Sequence, residues 1–573
     1  MTEIQSKVEE ELLARGFSYA PIQDGYPIIP AFRRSFNTNI GEFIVLIPLE
    51  DTTLLKLPRP RLIEIPEQLS GVRLPHLEGN QTICLFDEAT RNIDPLNPKS
   101  LIAACVVQLE SIIQGWVEGS NYKDIAVEFA SYWEPERSCF LLSDKSDSKL
   151  YSFNRTALNG DVVTEYSIAQ NMNQATDWSN KRNRSDGDSL PKELCNVINI
   201  KVNRSFFIPL KHKWPLENLG EVFTWLGKVD SRACSSLLDR LRNEAKQLST
   251  FMIVMSADTI HVGLKLKLGP MGKAALGINL TKRKKLNYQL VFSALSKKHR
   301  ITSFQKFRVD NSTEEYVFSR NSPTVSSLKN KKVCIIGCGT IGGYLTQGLV
   351  QMGAGTGKGQ LYLFDSDTLK TGNLGRHLLG LPYLGERKSD ALSHFLSSQS
   401  LVNDISACGA FNEKSIRGGW DLIVDATGEQ SFSLLLASWY RKFISEQDNR
   451  NMMLIHSWIS GFGHQAKSLL DDGSSACFAC MFNYSTSQRN ERYPSFAANK
   501  APDLSGVFKR TCGESHLPFG PEASMTAASL TLRLLKQEPS RKYNYLQKSL
   551  SELPIQYPEK SAKPVGSCPV CQS

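Results

Sequence analysis

Two pairs of cysteines carry the spacing of a metal knuckle. Cys477-Phe478-Ala479-Cys480 and Cys568-Pro569-Val570-Cys571 are each a CxxC, with 87 residues between the pairs. A CxxC can set two thiolates on one ion, and four thiolates complete the tetrahedral shell of a structural zinc site. A single CxxC would also suit a redox couple. A pair ending two residues before the sequence does reads better as a staple for the last segment. Zn2+ held by Cys477, Cys480, Cys568 and Cys571 is therefore expected.

The second chemical signal is Gly337-Cys338-Gly339-Thr340-Ile341-Gly342, which follows an apolar strand, Val333–Ile336, and opens a helical pattern. Glycines so spaced permit a tight turn, close backbone approach to phosphate and close helix–strand packing. The helix N-terminus then offers free N–H groups to an anion. A further strand, Gln360–Phe364, ends at Asp365, 23 residues beyond Gly342, where a ribose-binding carboxylate belongs. Such a loop alone would read as a dinucleotide site or a plain turn. The residues after it favour a triphosphate: Asp367, Asn373, Arg376 and Lys388 follow in order, and the two cations could neutralise phosphates and a leaving pyrophosphate. Trp420–Gly428 reads as a buried strand delivering Asp425 to the ligand edge of an open α/β sheet, a hard oxygen for Mg2+.

Together these residues resemble the ThiF family of ubiquitin-activating enzymes and their bacterial sulfur-carrier relatives, over about residues 320–573. The family's glycine loop matches Gly337, Gly339 and Gly342, its DxD Asp365 and Asp367, and its NLxR Asn373, Leu374 and Arg376. Its downstream lysine matches Lys388, its magnesium aspartate Asp425, and its zinc ligands the four cysteines. The usual glutamine after NLxR is His377 here. The resemblance implies ATP and Mg2+ as cofactors and adenylation of a C-terminal carboxylate. It also implies a homodimer in which Arg320 is donated across the interface. Its ubiquitin-activating branch captures the acyl group on a cysteine, which implies Cys512 in Lys509-Arg510-Thr511-Cys512-Gly513-Glu514, where flanking cations favour the thiolate.

Leu74–Asp87, followed by a long helix, resembles a ubiquitin-conjugating domain of the bacterial type. Cys84 is its implied acceptor cysteine. His76 matches the histidine of that fold's turn and is expected to be structural, and Glu78 stands where eukaryotic members have asparagine. Activating and conjugating domains on one chain resemble the fused enzymes, Cap-two type, of bacterial CBASS anti-phage operons. That resemblance implies joining the C-terminus of a cyclic-nucleotide-synthesising nucleotidyltransferase to an amine-bearing target. Two alternatives stay open: a sulfur-carrier activator that stops at adenylation, with the N-terminal domain as a platform, and a non-catalytic nucleotide sensor.

Three regions must position these groups. Residues 1–145 form an α+β conjugating-like domain, with a helix at Pro98–Glu118 and strand-like runs at Gly41–Pro48, Leu62–Ile65 and Ile83–Phe86. Residues 146–320 form a linker domain of mixed strands and helices with no chemical motif. Residues 321–573 alternate strands and helices, as a Rossmann-like parallel α/β sheet requires. The polar stretch Gln170–Pro191 reads as a surface loop, and Tyr288, Leu290 and Phe292 as one face of a buried strand.

At 573 residues the chain exceeds one core, and 41% hydrophobic with 22% charged residues is ordinary globular material. A net charge of +10 over this length does not call for nucleic acid, and the basic run Thr281–Arg300 reads as a solvated face. No membrane span is expected. Thirteen scattered cysteines suit a reduced, cytoplasmic enzyme better than a disulfide scaffold.

Overall fold

The apolar spacing of Pro98–Glu118 becomes a 21-residue helix in the computed structural model. Asn97 caps it by accepting the Ser100 N–H, Pro98 occupies the first turn, and Gly119 in a left-handed conformation ends it. The structure describes residues 3–572 except 23–28, 52–55, 79, 87–93, 95, 184–189, 210–211, 213, 278–286, 298–299, 321–327, 403–404, 448–451, 461–462, 484–489, 494–507, 512–513, 517–518, 537–541 and 551–558. The chain divides into two units, Met1–Ser312 and Thr313–Ser573.

In the first unit, the strands Ser18–Tyr19, Ala31–Thr38, Gly41–Pro48 and Arg61–Glu64 pair in that order as an antiparallel sheet. Phe32, Phe43 and Val45 of the sheet pack with Val8 and Leu12 of the helix Glu3–Ala14 and with Ile102, Leu109, Ile113 and Trp116 of the long helix. By length and composition that long helix is the one candidate span among the described residues. Its apolar stripe is core. Ile83–Phe86 is not a strand. Left-handed His76 (φ 59°) and Gln81 (φ 66°) curl the chain. Glu78 N–H to the Thr82 carbonyl and Cys84 N–H to the His76 carbonyl close a turn, and pairing with the strand Arg61–Glu64 is limited to one isolated bridge, Arg61 with Thr82.

A closed barrel follows, in the order Ile260–Leu268, Ile301–Asn311, Arg137–Leu141, Val162–Ala169, Lys149–Thr156, Lys192–Lys201 and Thr250–Ala257. The helices Leu219–Val229 and Ser231–Glu244 bury one face against it. The centre of that packing is aromatic: the Phe129 ring stacks on Trp225 at 5.4 Å and on Phe206 at 4.7 Å, with Trp133 and Trp214 beside them.

Two expectations are corrected here. Tyr288, Leu290 and Phe292 lie on a helix, Tyr288–Leu295. Spacing of four puts Tyr288 and Phe292 on one side, 6.2 Å apart, with Phe292 stacked on Phe223, while Leu290 is exposed. Within the polar stretch, Met172–Arg182 is likewise a helix, capped by Asn171 and anchored by buried Ala175 and by Trp178 against Phe140. Its few apolar residues fall on one side, so high polarity concealed a helical stripe.

The second unit is an eight-stranded sheet. Ile405–Cys408, Gln360–Phe364, Lys332–Ile336, Leu422–Asp425 and Met453–Ser460 run parallel in that order. Gln465–Asp471, Tyr545–Ser549 and Glu559–Lys560 continue it antiparallel. The order reverses between Lys332–Ile336 and Leu422–Asp425, and a ligand crevice opens where strand order reverses, at the carboxyl ends.

Trp225→Ala removes the ring at the centre of the first unit's aromatic packing and is expected to cost about 3–5 kcal/mol. Denaturant unfolding of the full chain checks this; an unchanged first transition would mean the stack contributes little.

Candidate active site and metal centre

The glycine loop lies at that reversal. Gly337 has φ +88°, and a Cβ there would come within 2.9 Å of Thr427 backbone atoms, so this turn presses on the turn after Asp425. A Cβ on Gly342 would run into the Gly337 carbonyl oxygen, whereas one on Gly339 would meet open space. The loop is thus closed on its protein side and open at the start of the helix Thr340–Gln351, where an anion would sit.

Asp365 shapes the loop. Its Oδ2 accepts the Cys338 N–H at 2.7 Å and its Oδ1 the Asp367 N–H at 2.8 Å. Asp367 is 71% exposed on its side chain and pairs with Lys388 Nζ at 3.1 Å; the Lys388 side chain is only 11% exposed. Asn373 closes a short turn: its Oδ1 accepts the Lys370 N–H and its carbonyl accepts the Arg376 N–H. The Arg376 guanidinium lies over the Phe519 ring at 4.3 Å, and burial pushes its pKa down.

His377, where the resemblance leads one to expect glutamine, has a definite task. Its Nε2 donates to the Cys338 carbonyl at 2.9 Å and its Nδ1 accepts the Leu379 N–H, which fixes the tautomer. Burial pushes this imidazole below its ordinary range. Sequence reasoning left this residue without a role; its position beside the NLxR run was the available signal.

Asp425, 2% exposed, accepts four hydrogen bonds. Oδ1 takes the Thr427 N–H (3.1 Å) and Oγ1–H (2.7 Å); Oδ2 takes Ser433 Oγ–H (2.5 Å) and His456 Nδ1–H (2.8 Å). Burial pushes the carboxyl up, and the bonds from His456, Ser433 and Thr427 outweigh it, leaving the group below the usual carboxylate range. Both bonds on Oδ1 come from one turn residue. Movement of Thr427 alone would free a hard oxygen, so the donor set fits a magnesium ion. Arg320 ends the helix Glu314–Arg320 with its guanidinium 5.8 Å from the Tyr316 ring centre. Among the described residues nothing in this chain ties it to the glycine loop.

The structure brings the four distant cysteines together. Cys477 Sγ lies 3.8 Å from Cys480, 3.6 Å from Cys568 and 3.5 Å from Cys571, and Cys480 lies 3.5 Å from Cys571. All four sulfurs fall within 4.8 Å of one another. A zinc ion with tetrahedral Zn–S bonds of about 2.3 Å requires S–S edges of about 3.8 Å, so the cluster fits zinc.

In the first unit, Cys84 is half-buried, while Cys105, Cys139, Cys195 and Cys234 are buried. Burial pushes the Cys195 thiol to about 12 and that of Cys234 to about 11, which leaves them inert. Cys84 Sγ lies 3.7 Å from the Phe86 carbonyl. His76, whose carbonyl holds the Cys84 N–H, turns its ring outward to Asp124, with Nε2–Oδ2 at 3.0 Å. Its own N–H donates to the Tyr132 hydroxyl. Cys512 lies outside the described residues; the strands Phe508–Thr511 and Glu514–His516 on either side of it pair antiparallel.

Residues 316–569 match the model of the ThiF family, and residues 29–142 that of prokaryotic E2 family B. The chain is 28% identical to the ATP-dependent ubiquitin transferase-like protein Cap2 of Escherichia coli (strain TW11681), over 96% of this chain and 94% of that protein. It is 27% identical to the protein of the same name from Vibrio cholerae serotype O1 (strain ATCC 39315 / El Tor Inaba N16961), over 99% of this chain and 100% of that one. Among solved structures, E. coli MccB with MccA-N7isoASN is 21% identical with a TM-score of 0.31, over 43% of this chain and 68% of that chain.

Two measurements check these geometries. Elemental analysis is expected to find one zinc per chain, lost in Cys477→Ser and Cys568→Ser together with a lower Tm; full stability without metal would reduce the cluster to packing. Gly342→Ala is expected to abolish ATP binding, and wild-type affinity in that variant would contradict the close turn.

Proposed function

With a ThiF-family domain and a prokaryotic E2 family B domain on one chain, we propose that the protein is an ATP-dependent protein ligase. It adenylates a protein's C-terminal carboxylate, carries the acyl group on Cys512 and then Cys84, and passes it to a target amine. The observation that carries this reading is the presence on one chain of a half-buried cysteine, Cys84, in the E2-type domain and a cation-bearing anion crevice in the ThiF domain. Relatives named as ATP-dependent ubiquitin transferase-like proteins align over nearly their whole length, which supports it.

The carboxylate oxygen attacks the α-phosphate of ATP, forming an acyl-adenylate and releasing pyrophosphate. Backbone N–H groups at Gly339 and the helix start receive phosphate oxygens, while Arg376 and Lys388 stabilise the charge on the leaving pyrophosphate. Asp425 would hold the magnesium that accompanies ATP, an ion that neutralises phosphate charge when bound. The Cys512 thiolate displaces AMP to give a thioester, and Cys84 takes the acyl group by thioester exchange. The amine then attacks, the Cys84 thiolate leaves, and the amine's proton passes to solvent. One difficult condensation becomes several easier steps.

The carboxylate substrate is the C-terminus of a CBASS cyclic-nucleotide-synthesising nucleotidyltransferase, in anti-phage defence. The enzyme acts in the cytoplasm as a homodimer, with Arg320 completing the partner's site.

Intact mass spectrometry with ATP, magnesium and that nucleotidyltransferase tests the relay on wild type, Cys512→Ala and Cys84→Ala. Thiol-labile adducts are expected in wild type, none in Cys512→Ala, and retention on Cys512 in Cys84→Ala. Working ATP–pyrophosphate exchange without any thiol-labile adduct would leave an adenylating enzyme and remove both cysteines from the mechanism.

A further inference from the structure

The two oxygens of the buried Asp425 carboxylate are bonded to different parts of the fold, two hydrogen bonds to each. Oδ2 is held by Ser433 and His456, which are 4% and 1% exposed. Among the described residues Oδ1 is held only by Thr427, half-buried beside Gly428, where an added Cβ would meet open space. Gly337 of the phosphate loop presses on that same Thr427. The two halves of the carboxylate therefore have different surroundings: a fixed inner side and an outer side that borders the nucleotide loop.

His456 is built for the inner side. It lies directly across the parallel pairing from Asp425, so the sheet register sets the separation of the two backbones. Its ring packs 4.7 Å from that of Phe478, which lies between the metal cysteines Cys477 and Cys480. Nδ1 must carry its hydrogen to bond a carboxylate. Nε2 is buried with no hydrogen-bond partner among the described residues. A buried ring nitrogen left unsatisfied costs free energy. Among the described residues its one hydrogen bond is the one to Asp425.

We propose that His456 is a positioning residue for the nucleotide's magnesium. With Ser433 it holds Oδ2 inward, and so presents Oδ1 to the crevice as the ligand oxygen. Phe478, rooted between two metal cysteines, keeps the ring from turning away. This rests on the adenylation reading above and goes beyond it in giving the cysteine cluster a route to the nucleotide site.

The test is equilibrium binding of ATP to the full chain, once with magnesium and once with EDTA, alongside Tm. Partners that orient a metal ligand typically contribute about tenfold to hundredfold in metal affinity. His456→Ala is expected to lose a gain of that size in the magnesium arm while its affinity in EDTA stays close to wild type. His456→Asn, whose amide N–H can reach Oδ2, is expected to restore most of the gain. Ser433→Ala is expected to share the loss, and with His456→Asn it carries the test if His456→Ala does not fold. A purely structural role would lower both arms together, or lower Tm while leaving their ratio unchanged, and either result overturns the proposal. Absence of ATP binding by wild type in both arms would overturn the adenylation reading and this inference with it. Wild-type binding with an undiminished magnesium gain in His456→Ala would overturn the inference alone.

Discussion

A carboxylate withdrawn from water remains charged only if its lone pairs are filled, and Asp425 meets that demand with donors from three elements. Thr427 belongs to the turn after its strand, Ser433 to the helix Gln430–Gln447, and His456 to the neighbouring strand. Leaving a buried acceptor without its hydrogen bond costs about 1–3 kcal/mol, and more when the group is charged. The turn, the helix and the strand are held to one arrangement by that demand. The glycine loop inherits it, because Gly337 packs on Thr427 without room for a side chain.

The rest of the crevice is arranged outward from this fixed point. Asp365 spends both oxygens on backbone N–H groups and so shapes the phosphate loop rather than projecting into it. Lys388 pairs with Asp367 and the Arg376 guanidinium lies over the Phe519 ring, the two cations to which the adenylation proposal gives the phosphates. The cysteine cluster ties the segment after Cys568 back to the Cys477 knuckle, and its Phe478 forms the wall behind His456. Residues far apart along the chain thereby pack against the strand that carries His456.

The E2-type domain solves a different problem, that of keeping a thiol accessible beside a packed core. A strand would have buried Cys84 in a ladder. Left-handed His76 and Gln81 instead bend the chain so that the Cys84 N–H bonds the His76 carbonyl, and Cys84 stays partly exposed. The His76 ring faces Asp124, so its backbone carbonyl, rather than its imidazole, is what holds the cysteine's backbone.

By itself the sequence determined the local units: the strand, glycine loop and helix around Gly337–Gly342, the long helix Pro98–Glu118, and the two-plus-two spacing of the cysteines. Each depends on residues a few positions apart, where periodicity and steric rules act directly. The sequence also identified Asp425 as a buried strand end, but not its partners, since Ser433 and His456 meet it only once helix and strand have packed. The tertiary structure alone decided that the middle region closes into a barrel, that Met172–Arg182 and Tyr288–Leu295 are helices, and that Cys84 lies in a turn. In those segments the local pattern suits more than one conformation. Burial against a distant partner, which no spacing records, selects between them.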